Sequence, residues 1–302
     1  RLSVGVDAQL EEAENRSTLL LPPFLGGAVA GDYRLERLLP GALVEVVVER
    51  GAVTWEAGGR LDAPEGAGLQ FNPRLGVSRR LAGGRTRVRA SAGRAFKLPS
   101  TFALASPAAL GGNPDLVAES ALGGDLGVQH RFGNGVEAEL GVFLQRYTDL
   151  IDFDFGRFTH LNRSRVETRG VEGALAWRPS GRWSITAALT WQEVENRDTG
   201  GGLRQRPEWS GAAAVGWRPL AALRLALDVT GVSDRLDSQI PVPARERVGG
   251  YAVAGLTATW RPEGAWSIRA RVENLADREH ETFIGFPGAG RGARIRVRWR
   301  SR

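Results

Sequence analysis

Residues 223–230 alternate Leu223, Leu225, Leu227 and Val229 with Arg224, Ala226, Asp228 and Thr230. The same beat of two returns at Trp266, Ile268, Ala270 and Val272. It returns again at Val136, Ala138, Leu140, Val142 and Leu144, and at Trp183, Ile185, Ala187, Leu189 and Trp191. Successive side chains of an extended chain point to opposite faces, so each run is a strand with one apolar and one polar face. No stretch shows a convincing helical period. The pattern predicts roughly 14 strands, near 1–12, 38–49, 52–62, 70–81, 85–96, 117–131, 135–154, 157–178, 182–197, 207–218, 222–236, 250–261, 265–277 and 290–300. Tight turns rich in Gly, Pro and Asn alternate with long loops. Glu49-Arg50-Gly51, Gly133-Asn134-Gly135, Pro179-Ser180-Gly181 and Arg218-Pro219-Leu220 are tight, while the long loops fall at about 13–37, 98–116, 198–206, 237–249 and 278–289.

Short turns at one end and long loops at the other are the layout of an antiparallel transmembrane β-barrel, the turns on the periplasmic side and the loops outside. Strand runs of roughly 10–15 residues exceed the ~5–6 usual in soluble sheets. Trp177, Trp183, Trp217, Trp260, Trp266 and Trp299 sit at strand ends beside the tight turns, where an apolar ring meets a hydrated edge. The last strand sharpens the assignment. Arg294, Arg296, Arg298 and Arg300 alternate with Ala293, Ile295, Val297 and Trp299. An arginine at the middle of a lipid face costs about 2–4 kcal/mol, so the arginine row is expected to face the lumen and the apolar ribbon the lipid. Glu273, Asp228, Glu137 and Glu139 are expected to face the lumen with it.

Composition narrows the alternatives. The 302 residues are 42% hydrophobic and 25% charged, with a net charge of +6 carried almost wholly by arginine. Lys97 is the one lysine, and there is no cysteine, so disulfides and thiolate chemistry are excluded. The arginines alternate with apolar residues in strands, which suits a lumen better than a phosphate-tracking patch, so no nucleic-acid partner is expected. His130, His160 and His280 lie too far apart in sequence to suggest a metal site, and no cofactor is expected. Gly-x-Ser-x-Gly is missing, and the Gly-rich stretches lack the Lys-Ser/Thr of a phosphate loop. No apolar run is long enough for a transmembrane helix.

Six stretches taken together are family-like: GRAFKLPSTFAL (93–104), GNPDLVAES (112–120), FLQRYTDLIDF (143–153), NRSRVETRGVEGAL (162–175), RQRPEW (204–209) and VENLADREHETFIGFPGAGRGARIRVRW (272–299). In this order and spacing they resemble the carboxyl-terminal barrel of TonB-dependent outer-membrane receptors, the cobalamin and siderophore branch above all. The residues also have local readings. Asn113-Pro114-Asp115 predicts a turn that starts a strand at Leu116. Gly170 inside a strand predicts a bulge or a close backbone approach. Asn274 and Asp277 are expected to end the penultimate strand by side-chain-to-backbone bonds.

The resemblance implies a transporter in the outer membrane of a Gram-negative bacterium, surrounded by outer-membrane lipid. It implies import of a ferric siderophore or a corrinoid, with force drawn from a TonB-type energy-coupling protein through a plug, and no covalent catalysis. The family barrel has 22 strands and a plug, whereas residues 1–302 read as one barrel domain of about 14 strands. The chain begins at Arg1 and lacks Met, so it reads as a piece of a larger barrel, with a complete short barrel as the alternative. Ligand is expected on the outer loops, at Phe24, Tyr33, Phe102, Arg278, His280, Phe283 and Phe286. Two other functions stay open: a plugless, arginine-lined passive pore, and an outer-membrane hydrolase using His130 or His160.

Overall fold

The structure, a computed structural model, describes residues 1–20, 27–154, 156–198, 200–237, 245–262 and 266–300. Fourteen strands form one antiparallel sheet in which each pairs with the next along the chain. They are β1 (Leu2–Asn15), β2 (Tyr33–Arg50), β3 (Val53–Asp62), β4 (Gln70–Leu81), β5 (Thr86–Lys97), β6 (Glu119–Arg131) and β7 (Val136–Asp154). After these come β8 (Thr159–Ser180), β9 (Trp183–Asn196), β10 (Trp209–Leu220), β11 (Leu223–Val232), β12 (Tyr251–Trp260), β13 (Trp266–Glu273) and β14 (Gly292–Trp299). The sheet is open: β1 and β14 are its edges, and no pairing joins them among the described residues.

The energetics are those of a sheet turned inside out relative to a soluble protein. Along β7 the side chains of Leu140, Val142 and Leu144 are exposed by 52%, 46% and 56%. Their register partners on β8 are Gly173, Val171 and Arg169, so the apolar band stops at Leu144 and Val171, where arginine takes over. Counted from Val136, that band is nine residues long, close to the ~9–11 residues with which a tilted strand crosses a bilayer. All nine tryptophans fall on this apolar face by register. Seven lie toward the tight turns, where Trp183 stacks on Trp217 at 5.6 Å. Trp191 and Trp209 sit at the opposite end, 6.4 Å apart. Two tryptophan rows bracketing an apolar band match the two girdles of a membrane barrel. The buried apolar residues Ala103, Leu116, Val166, Val248 and Ile284 all lie at the loop end. The conventional core of this molecule is therefore in its loops.

Several local expectations are revised. The predicted loop 13–37 is largely strand. β1 and β2 pair without interruption from Leu2↔Val46 to Asn15↔Tyr33, and a ribbon of Thr18–Leu20 against Ala28–Ala30 continues them. Asn113 does cap a turn, its Oδ1 accepting from Asp115 N at 2.9 Å, but the strand starts at Glu119. Leu116 is instead buried among the loops, which fixes the intervening residues away from the sheet. The loop 98–116 holds a helix, α1 (Thr101–Ala105), whose five residues are too few to show a period in sequence. Ser100 Oγ caps it by accepting from Ala103 N at 3.1 Å. β10 runs on through Leu220, so the turn falls after Arg218-Pro219-Leu220. Gly170 marks a close approach, with unbroken register on both sides.

Candidate functional site

The polar face of the last strands is crowded with cations. Arg271 stands opposite Arg294, and Arg269 opposite Arg296, while Arg298 faces Ser267. Like charges placed directly across a ladder repel. Two carboxylates from the same face relieve the upper pair. Arg271 donates Nη1 and Nη2 to Asp228 at 2.7 and 3.0 Å and Nε to Glu273 Oε1 at 3.0 Å. Arg294 bonds the same Glu273 oxygen. Arg60 is similarly forked onto Asp7 at 2.8 and 3.0 Å, with Nε on Asp62 at 2.7 Å. Arg89 meets Glu139 at 2.8 Å and Arg131 meets Glu137 at 3.5 Å. Arg271→Met is expected to destabilise by at most about 1 kcal/mol, because half-buried Asp228 loses its donor while Glu273 keeps Arg294. Adding Asp228→Asn should recover part of that loss in a denaturant titration, as a direct coupling requires.

Between these charged zones the same face is smooth. Ala174, Ala176, Ala188, Ala212 and Ala214 line a shallow groove of about 430 Å³ across β8 to β11.

Beyond the apolar band the loops form a crown tied together by hydrogen bonds. Tyr33 and Phe102 meet edge-on at 6.3 Å, and Phe102 meets His160 at 6.1 Å. Phe153 lies 5.0 Å from His160 and 5.2 Å from Phe158, completing an aromatic cluster. His160 Nδ1 lies 2.7 Å from the carbonyl oxygen of Gly111, so that nitrogen carries the proton and donates. Gly111 sits at φ +86°, and a Cβ there would fall 2.4 Å from the Phe153 ring, so both backbone and space demand glycine. Asp152 accepts from Arg163 at 3.4 Å and from Arg204 at 3.0 Å, joining the β7–β8 tip to the next loop.

A second cluster surrounds Arg235. Its guanidinium lies 5.9 Å from the Tyr251 ring, and Tyr251 lies 4.3 Å from His280 with the rings tilted by 41°. Arg245 pairs with Glu281. That guanidinium, helped by the Gly285 N–H, holds the Glu281 carboxyl below the usual glutamate range.

The predicted ligand residues thus separate. Tyr33 and Phe102 fall in the first cluster, and His280 falls in the second. Phe283 and Phe286 pack edge-on at 6.2 Å in a ribbon of their own. Arg278 is exposed and enters the crown by backbone alone: Asn274 Oδ1 accepts from its N–H at 2.9 Å and Asn274 Nδ2 donates to its carbonyl at 3.0 Å. Asp277 accepts from Arg291 N at 2.7 Å, so Asn274 and Asp277 together fasten the loop after β13. Phe24 lies outside the described residues. Sequence reasoning missed Arg235, Gln205, Tyr251 and Phe153. Arg235 reads as one more arginine in a basic chain, whereas Gln205, inside RQRPEW, and Phe153, ending FLQRYTDLIDF, fall in the family-like stretches.

Comparison with known proteins fits this architecture. The family described as "TonB dependent receptor-like, beta-barrel" matches residues 42–275. A ferric enterobactin receptor of Pseudomonas aeruginosa is 24% identical, over 76% of this chain and 37% of the relative. The solved ferric enterobactin receptor PfeA of Pseudomonas aeruginosa superposes with a TM-score of 0.82 at 20% identity, covering 99% of this chain and 51% of that one. The copper transporter OprC superposes with a TM-score of 0.78 at 17% identity, covering 99% of this chain and 53% of that one. The chain therefore spans about half the length of these solved relatives and less of the curated one. With 234 of its residues matched by the family, an apolar belt between two tryptophan rows and a loop crown at one end, the chain belongs to the TonB-dependent receptor β-barrel family.

Proposed function

We propose that the chain forms barrel wall and outer crown of an outer-membrane importer for a ferric siderophore, driven by a TonB-type protein through a plug in the lumen. The observation that carries this reading is the crown itself. Aromatic rings and guanidinium groups from separate loops converge above the band that would sit in lipid, a surface suited to a bulky, partly aromatic anion. The relatives named above are ferric enterobactin receptors, which favours a siderophore over a corrinoid. OprC shares the fold with a different cargo in its name, so the fold alone does not choose the solute.

The smooth alanine wall favours a lumen filled by packed polypeptide over a passive aqueous pore, since an apolar surface gains by being covered. The hydrolase reading gains nothing from the histidines. His130 bonds Thr86 at 2.7 Å, His160 is spent on Gly111, and His280 lies 3.1 Å from the Arg278 carbonyl.

The test is radiolabelled iron uptake by the full-length protein in a Gram-negative host stripped of its own ferric enterobactin receptors. Uptake of ferric enterobactin that vanishes when TonB is deleted is the expected result. Uptake that survives the deletion would establish the pore instead.

A further inference from the structure

Arg235 is 6% exposed, yet among the described residues its partners are all neutral groups, the Glu281 carbonyl at 3.5 Å included. Its Nε donates to Gln205 Oε1 at 2.8 Å, its Nη2 donates to the carbonyl oxygen of Thr282, and its π-face partner is Tyr251. The carboxylates nearby along the chain are engaged elsewhere: Asp234 with Arg247, Asp237 with the Ile284 N–H, and Glu281 with Arg245. Among the described residues Arg235 forms no ion pair. Arg37, equally buried at 8%, shows the ordinary solution, with Glu11 at 2.7 Å. A guanidinium taken out of water without a counter-charge is unfavourable, and an anion beside it would relieve that cost.

Two donors at this place are also unspent. Arg235 Nη1 and Gln205 Nε2 are buried and have no hydrogen-bond partner. Both are N–H groups, so only an acceptor satisfies them. Gln205 is held at φ +57°, a conformation a non-glycine residue adopts at a cost, of the kind seen where a loop is shaped around a ligand. We propose that Arg235 and Gln205 form an oxyanion-binding subsite inside the crown, taking one negatively charged carboxylate, phenolate or phosphate oxygen. Tyr251 braces the guanidinium from its face, and His280 braces Tyr251.

The oxyanion has two possible sources: the transported solute or a free ion of the medium. Assigning it to the solute rests on the siderophore reading above, whereas the subsite does not. Two measurements on the full-length protein in detergent separate these. The first compares thermal midpoints in sulfate and in chloride at matched ionic strength. Sulfate should raise the wild-type midpoint by about 2–4 °C and leave Arg235→Gln unmoved, with Arg235→Lys in between. Equal responses in wild type and Arg235→Gln overturn the subsite.

The second measurement follows tryptophan fluorescence as ferric enterobactin, an anionic tris-catecholate, is titrated in. A loss of roughly tenfold or more in affinity on Arg235→Gln assigns the oxyanion to the solute. Unchanged affinity, beside a positive sulfate response, assigns the subsite to a free ion. A wild-type protein that responds to sulfate but binds no ferric enterobactin refutes the catecholate cargo and leaves the subsite standing. Retained heat-modifiable migration on gels confirms that each variant still folds as a barrel.

Discussion

Leu140→Arg is expected to cost about 2–4 kcal/mol of folding free energy in urea titrations from lipid vesicles. Leu140 is 52% exposed at the centre of the nine-residue band, with Ala138 and Val142 beside it on the same face. In a water-soluble protein an arginine at a site this open changes stability by no more than about 0.5 kcal/mol. The two environments therefore predict results several-fold apart. The loss arises because hydrocarbon offers the guanidinium neither water nor a counter-ion, and a residue at the centre of the band is farthest from both headgroup layers. Leu140→Val, which keeps the apolar character, should be nearly neutral. An arginine variant as stable as wild type in vesicles would remove the bilayer from around this sheet.

Gly170→Ala should be the most damaging single-methyl change in the sheet, at the upper end of the ~1–3 kcal/mol usual for overpacking, and Gly170→Val worse. A Cβ at residue 170 would stand 2.4 Å from Phe143 Cζ and 2.4 Å from the carbonyl oxygen of Trp191. The ring can turn aside, but the carbonyl belongs to β9 and is held in the ladder on register with residues 170 and 171. Three residues along the same strand, a Cβ at Gly173 would meet nothing nearer than 4.0 Å. Gly173→Ala should therefore fall within about 0.5 kcal/mol of wild type, measured in the same titration. Phe143→Leu combined with Gly170→Ala should recover only the part of the loss due to the ring.

The polar face of the wall divides into charged and alanine-rich zones. Paired arginines such as Arg271, Arg60 and Arg89 are satisfied within the wall. The alanines of β8 to β10 lie beside Glu137, Glu139, Thr186, Asp228 and Thr230, which line the same groove.

The amino-acid order by itself determined the strands, their alternation of faces and the alternation of tight turns with long loops. Period-two patterning is a local property, and a one-residue slip would bury the arginines of β14 in lipid, so the choice of faces had no second solution. The tight turns were legible for the same reason, being written by Gly, Pro and Asn side by side. Loop structure was not legible. α1 is too short to show periodicity, the ribbon extending β1 and β2 has no apolar alternation strong enough to stand out, and Leu116 looks like a strand residue until the loops close over it. The two clusters of the crown were decided only by tertiary structure. Tyr33 meets Phe102, and Arg235 meets Gln205 and Thr282, across wide gaps in sequence, and those meetings depend on how far each hairpin projects beyond the bilayer. Whether an arginine is paired or left with a spare N–H is settled by which loops arrive beside it. For that reason Arg235 is indistinguishable in the sequence from the other arginines and distinct in the folded chain.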